Sequence, residues 1–152
     1  MSPAKQDNSM TRINLVDPSH LTDKHLVAEY RELPRIFTSV KKLVQSGKWS
    51  EFISSEHSDS YLLGKGHMKF FYTRLPWLKL RYMDLNIEMR KRGMSPDENL
   101  YSSISYSISD IIDSVSEDQL PYWKPSPEEI YLNMARLCIR SNITEVLMEI
   151  TG

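Results

Sequence analysis

The chain has 152 residues, of which 40% are hydrophobic, with a single cysteine and a formal net charge of −1. This length predicts one domain with a real core, and the lone Cys138 excludes a disulfide framework and a cysteine-based zinc site. No apolar run approaches the roughly 18 residues of a membrane span and no apolar signal core opens the chain, so we expect no membrane contact and a reducing, cytoplasmic compartment. The charge is uneven: residues 1–93 carry 16 Lys and Arg against 10 Asp and Glu, and residues 94–152 carry 3 against 10. A basic first part suggests an anionic partner, although surface charge also clusters by chance.

The first nine residues are polar and aperiodic, which predicts a disordered extension at 1–9 followed by a single domain at 10–152. The first apolar segment runs from Ile13 to Val16 and ends at Asp17–Pro18, where the proline disfavours helix.

A long helix is predicted from Thr22, a suitable N-cap, to Gly47, a suitable stop. Pro34 lies inside this helix and should bend it, because proline cannot donate one of the helical hydrogen bonds. The apolar positions step by four and three residues and are Leu26, Tyr30, Leu33, Phe37, Val40 and Val44.

Residues 48–66 are polar, and we predict that they are irregular. Their glycines do not have the spacing of a phosphate-binding loop. The aromatic segment His67–Tyr72 should be buried, and a helix should follow with Pro76 in its first turn and Gly93 at its C-terminal end.

A helix is also predicted within residues 97–117, and another begins at the capping box Ser126–Glu129, with Ile130, Met134 and Leu137 facing inward. The sequence therefore predicts an all-α protein: a single compact domain of three main helices plus shorter helices and irregular loops.

Arg31 and Arg35 are four residues apart on one helical face, with Glu32 beside both. A carboxylate between two guanidinium groups has two interpretations: a salt-bridged surface residue, or a catalytic carboxylate in an arginine-rich face that binds phosphate. His25 precedes Glu32 by two turns and is either an ordinary polar histidine or part of this face. The histidines do not have metal-site spacing, so no metal is expected, and no Ser/His/Asp motif is visible.

Five stretches of the sequence resemble the phage pyrimidine-dimer DNA glycosylases, the endonuclease V family. They are MTRINL at 10–15, HLVAEYRELPR at 25–35, LGKGHMKFFY at 63–72, KRG at 91–93 and ARL at 135–137, and the stretch at 25–35 is long and specific. The resemblance covers roughly Met10 to Arg140.

The resemblance implies a DNA repair enzyme that acts on UV-induced cyclobutane pyrimidine dimers as a glycosylase and abasic-site lyase. Family members flip a base out of the damaged duplex. Their nucleophile, the α-amino group of a threonine, matches Thr11, and their essential glutamate matches Glu32. The amine would attack deoxyribose C1′ to form an imine, with Glu32 as acid and base.

The resemblance also implies a set of DNA-binding residues and the absence of a cofactor. The partner would be double-stranded DNA containing pyrimidine dimers or abasic sites, bound by a monomer. The matching DNA-binding residues are Arg12, His25, Arg31, Arg35, Arg136 and Arg140.

Thr11 is internal in the sequence as written, and an acylated nitrogen cannot form an imine. Catalysis therefore needs translation from Met10 or removal of the residues before Thr11. The alternative is a non-catalytic, DNA-binding phage protein on the same fold.

Overall fold

Helices account for most of the computed structural model, which describes residues 13–55, 61 and 66–137. The α-helices in these ranges are α1 (Asp23–Glu32), α2 (Pro34–Gln45), α3 (Trp49–Ser54), the single turn α4 (His67–Phe70), α5 (Leu75–Lys91), α6 (Glu98–Asp113) and α7 (Pro127–Leu137). In the same ranges a 3-10 turn at Pro18–His20 precedes α1, and two more, at Phe71–Thr73 and Glu117–Gln119, connect α4 to α5 and α6 to α7. The described residues contain no strand, and the predicted all-α class is confirmed.

The predicted long helix is interrupted at the proline. Thr22 caps α1 as expected, because its side chain accepts a hydrogen bond from the amide of His25. Leu33 keeps helical dihedral angles and donates to the carbonyl of Glu29, but Pro34 has no amide to continue the ladder. The chain therefore restarts as α2, with Pro34 in its first turn.

Glycines end α2 and α5, as the sequence predicts. Gly47 and Gly93 have φ angles of 76° and 84°, which a side chain would disfavour. Beyond each glycine the next amide reaches back five residues, from Lys48 to the carbonyl of Leu43 and from Met94 to that of Met89. This is the Schellman arrangement, which satisfies carbonyls that the helix leaves open.

The prediction that residues 48–66 are wholly irregular is wrong, because α3 lies within them. Trp49 is buried and donates from Nε1 to Oε1 of Gln119 at 2.8 Å. Its ring stacks on that of Phe52, which also contacts Tyr72. Packing of these aromatic rings stabilises a short helix that the polar composition did not indicate.

The last two helices follow the sequence closely. Asp97 caps α6, which ends at Asp113 and so lies within the predicted range 97–117. At α7 the capping box is complete: Ser126 Oγ accepts from the amide of Glu129, and the Glu129 carboxylate accepts from the amide of Ser126.

One hydrophobic core joins these elements into a single compact domain, in which α1 packs on α5, α2 on α6, and α5 on α6. Its largest fully buried side chains are Tyr82, Phe37, Phe70, Phe71, Ile13, Leu26, Leu33, Ile36, Leu75, Leu78, Leu85 and Ile108. The predicted boundaries at residues 9 and 10 lie outside the described residues.

Candidate functional site

The break at Pro34 brings a carboxylate and a guanidinium together on the surface. Glu32 ends α1, and Arg35 lies in the first turn of α2. Arg35 Nη1 is 2.9 Å from Glu32 Oε1, with 68% of the arginine side chain and 29% of the glutamate side chain exposed. Such a pair is weak in water, so Arg35 can exchange the carboxylate for a phosphate at small cost. Arg31 is also exposed here.

The last helix places a positive charge near His25. Arg136 of α7 is half-buried, and its Nη2 donates to Oδ1 of Asn14 at 2.9 Å. Burial, together with the positive charges of Arg136 and Lys24, lowers the pKa of His25 below its ordinary 6.5, and Glu29 opposes this in part. His25 is therefore neutral at pH 7, and it lies within electrostatic range of Arg136.

Beneath this surface lies a buried charge network centred on Glu29. Arg81 of α5 grips its carboxylate with two bonds, from Nε to Oε2 at 2.7 Å and from Nη2 to Oε1 at 3.0 Å. The arginine side chain is 4% exposed and that of the glutamate 0%. Asn14 donates from Nδ2 to the same Oε1 at 2.8 Å. Glu29 is thus fully engaged in tying α1 to α5 and to the residues before α1.

Residues Ile13–Val16, which we call the N-terminal segment, are buried without being helical. Asn133 of α7 accepts at Oδ1 from the amides of Leu15 and Val16, at 2.7 and 3.2 Å. Its Nδ2 donates to Oδ1 of Asn14 at 2.8 Å. The segment is therefore held between α7 on one side and Glu29 of α1 on the other.

The start of the N-terminal segment is fixed by an aromatic cluster. The amide of Ile13 donates to Nε2 of His67 at 2.8 Å, and the hydroxyl of Tyr61 donates to the carbonyl of Ile13 at 2.9 Å. The ring of Tyr61 contacts those of His67 and Phe71 edge-on. Because the imidazole accepts at Nε2, it carries its proton at Nδ1 when neutral.

The structure brings together several of the residues that the sequence singled out and leaves others undetermined. Glu32 and Arg35 form an ion pair, His25 and Arg31 lie on the same helix as Glu32, and Arg136 of α7 lies within electrostatic range of His25. Thr11, Arg12 and Arg140 lie outside the described residues, so their predicted positions remain predictions.

Part of the positive charge in the first part of the chain is engaged with other groups of the protein. Four arginines after residue 73 make such contacts. They are Arg74 over the Phe70 ring, Arg81 with Glu29, Arg90 with Glu98, and Arg92 with Asp23 and Glu88. Arg31 and Arg35 remain exposed.

Sequence reasoning missed the buried polar residues of this region. Arg81 lies three residues after Leu78 and four before Leu85, and Asn133 lies three after Ile130 and four before Leu137. Each is a polar residue on the apolar face of its helix, a signal that could have identified both. Asn14 offered no comparable pattern, and for His67 the sequence predicted burial but not the bond from the Ile13 amide.

Within the described ranges, no three His, Cys, Asp or Glu side chains are grouped so as to hold a metal ion. None of the helices in those ranges is long and apolar enough to cross a membrane.

The family model described as "Pyrimidine dimer DNA glycosylase" matches residues 10–102. The match covers more than half of the chain and includes the N-terminal segment, Glu29, Glu32 and Arg81, while Asn133 and Arg136 lie beyond it. The chain belongs to the pyrimidine dimer DNA glycosylase family.

Proposed function

We propose that this protein excises UV-induced cyclobutane pyrimidine dimers from double-stranded DNA and then cleaves the abasic site, using the α-amino group of Thr11 as nucleophile and Glu32 as acid and base. One observation carries the proposal: the chain just after Thr11 is bonded to the helix that bears Glu32, through the 2.8 Å contact of Asn14 with Glu29. The alternative is DNA binding without catalysis on the same fold.

Covalent reach supports a shared site for Thr11 and Glu32. Thr11 is three residues before Asn14, so their Cα atoms are at most about 11 Å apart. Glu29 and Glu32 are one turn apart on α1, with Cβ atoms about 5–6 Å from each other. An amine at Thr11 and the Glu32 carboxylate can therefore approach one deoxyribose. The family match also begins at residue 10, directly before Thr11.

The chemistry follows from these two groups. The amine forms a bond to C1′ of deoxyribose as the bond from C1′ to the base breaks, and the departing base takes one amine proton. Ring opening, in which O4′ takes the second amine proton, gives an imine. A base then removes a C2′ proton, and the bond from C3′ to the phosphate oxygen breaks. Glu32 would stabilise the cationic sugar and move these protons. An α-amine titrates near about 8, so a useful neutral fraction exists at pH 7.

Charge on the surface around Glu32 supports a duplex as the substrate. Arg31 and Arg35 are exposed beside the carboxylate, and Arg136 lies near His25. Guanidinium groups bind backbone phosphates and orient the duplex without reading its sequence. Arg12 and Arg140 are proposed to extend this surface. A base extruded from the duplex would open room for the catalytic groups at the sugar.

Borohydride trapping tests the proposal. A protein beginning at Thr11 is incubated with UV-irradiated plasmid, and we expect nicking and a covalent protein–DNA adduct after reduction. The matched control is the 152-residue chain, whose Thr11 nitrogen is acylated and should give no adduct at that residue. Glu32→Gln should bind irradiated DNA but lose nicking by at least about 100-fold. Binding by the Thr11 protein with no nicking and no adduct would favour the non-catalytic alternative.

A further inference from the structure

The backbone of the N-terminal segment is bonded by side chains from distant parts of the chain. Ile13, Asn14, Leu15 and Val16 are each at most 5% exposed, although they form neither helix nor strand. Buried backbone groups need partners, and here side chains from distant elements supply them. The contacts are Ile13 with His67 and Tyr61, Leu15 and Val16 with Asn133, and the Val16 carbonyl with Arg81.

Asn133 is the central member of this set. It is 0% exposed, and its carboxamide oxygen accepts from two successive amides while its nitrogen donates to Asn14. The Asn133 side chain thereby fixes both the backbone of the segment and the side-chain carboxamide of Asn14, which contacts Glu29. Buried polar networks of this kind select one arrangement of the chain over near alternatives, because each misplacement leaves a polar group without a partner.

We propose that Asn133 is a positioning residue for imine formation: it fixes the N-terminal segment so that the Thr11 amine meets deoxyribose C1′ beside Glu32. This inference rests on the proposed function. Thr11 is four residues before Leu15, and the anchor therefore restricts where the amine can lie. Nucleophilic attack is sensitive to placement, and an error of about 1 Å can cost on the order of 100-fold in rate. Asn133 is fully buried, so it acts through the segment and does not contact DNA.

The test compares two buried substitutions in α7, both in the protein beginning at Thr11. Asn133→Leu keeps the side-chain size and removes both acceptor and donor. Met134→Ala, also at a 0% exposed position, removes core packing next to it and serves as the control. Both are assayed in single turnover with saturating abasic-site DNA and borohydride, at a temperature where circular dichroism shows both folded.

We expect Asn133→Leu to slow trapping at saturation by at least about 10-fold, with its Kd for the DNA within about threefold of the unchanged protein. Met134→Ala should trap at the unchanged rate within about twofold. Hydrogen exchange of the Leu15 and Val16 amides should accelerate in Asn133→Leu and not in Met134→Ala. If Asn133→Leu does not fold, Asn133→Ser, whose shorter hydroxyl cannot keep both acceptor contacts, should slow trapping by at least about threefold.

The two proposals fail in different ways. No adduct from the unchanged protein beginning at Thr11 would overturn the proposed function, and this inference with it. An adduct formed at equal saturated rates by the unchanged protein and the Asn133 variant would overturn this inference alone. So would equal slowing in Asn133→Leu and Met134→Ala, because loss of packing would then explain the effect.

Discussion

Replacing Arg81 by methionine should strongly destabilise the protein, because it strands a buried carboxylate. Arg81 and Glu29 form two hydrogen bonds, and their side chains are 4% and 0% exposed. Removing one partner of a buried ion pair typically costs about 3–5 kcal/mol. The carbonyl of Val16 also loses its bond from Nη1. For a chain of this size, such a loss corresponds to a fall in Tm of about 6–20 °C.

A second variant separates the destabilisation caused by an unpaired buried charge from that caused by lost packing. In Glu29→Gln combined with Arg81→Met the buried site is neutral, and the carboxamide oxygen introduced at position 29 can still accept from Asn14. Replacing a whole buried pair is often close to neutral, so we expect the double variant to be more stable than Arg81→Met by at least about 1 kcal/mol. Arg90→Met is the control, since its pair with Glu98 is exposed and should contribute less than about 1 kcal/mol.

Urea unfolding at pH 7, followed by circular dichroism, measures the unchanged protein and all three variants. A cost of less than about 1 kcal/mol for Arg81→Met, which is the scale of a surface pair, would contradict the burial of an unpaired charge as the cause. So would a double variant less stable than Arg81→Met, because the uncompensated charge would then not be the source of the loss.

Three further predictions concern two charged side chains and one backbone conformation. Arg136→Ala should weaken binding to irradiated duplex DNA and reduce the slope of log affinity against log salt concentration by about one unit. Arg90→Ala should leave this slope unchanged, and equal slopes for Arg136→Ala and the unchanged protein would exclude a phosphate contact of Arg136. Because the folded state lowers the pKa of His25 below 6.5, the unfolded chain binds more protons just below that pH, and the free energy of unfolding should fall as pH decreases from 7.5 to 5.5. In urea titrations at the two pH values, the free energy of unfolding should fall less in His25→Gln than in the unchanged protein. An identical fall in the two proteins would contradict this prediction. Gly47→Ala should cost about 1 kcal/mol in the same assay, because φ is +76° there although nothing lies within 4 Å of the added Cβ; no loss would contradict it.

The helix ends of this protein were readable from the sequence because their signals are local. Thr22, Gly47 and the pair Ser126 and Glu129 each act on groups within five residues along the chain. Periodicity likewise predicted the buried faces, since a helix repeats over three or four residues. Helix α3 was missed because Trp49 depends on Gln119, a partner 70 residues away.

In the candidate site, too, some features could be predicted from the sequence and others depended on distant partners. The resemblance at residues 25–35 pointed to Glu32 and its arginines, and their roles stay predictions. It did not show how the surroundings of Glu32 differ from those of Glu29, which lies one turn away on the same helix. Glu29 is buried against Arg81 and Asn14, while Glu32 stays at the surface beside Arg35.

The sequence by itself determined the all-α class, the caps that delimit most of the helices and the family. Only the tertiary structure decided which polar residues are buried and what they bind. Asn133 and Leu15 are 118 positions apart, and the contact between them exists only after α7 has packed on the N-terminal segment. The physical reason is range: backbone ladders and caps join near neighbours, whereas a buried side chain takes whichever partner the packing of distant elements brings to it.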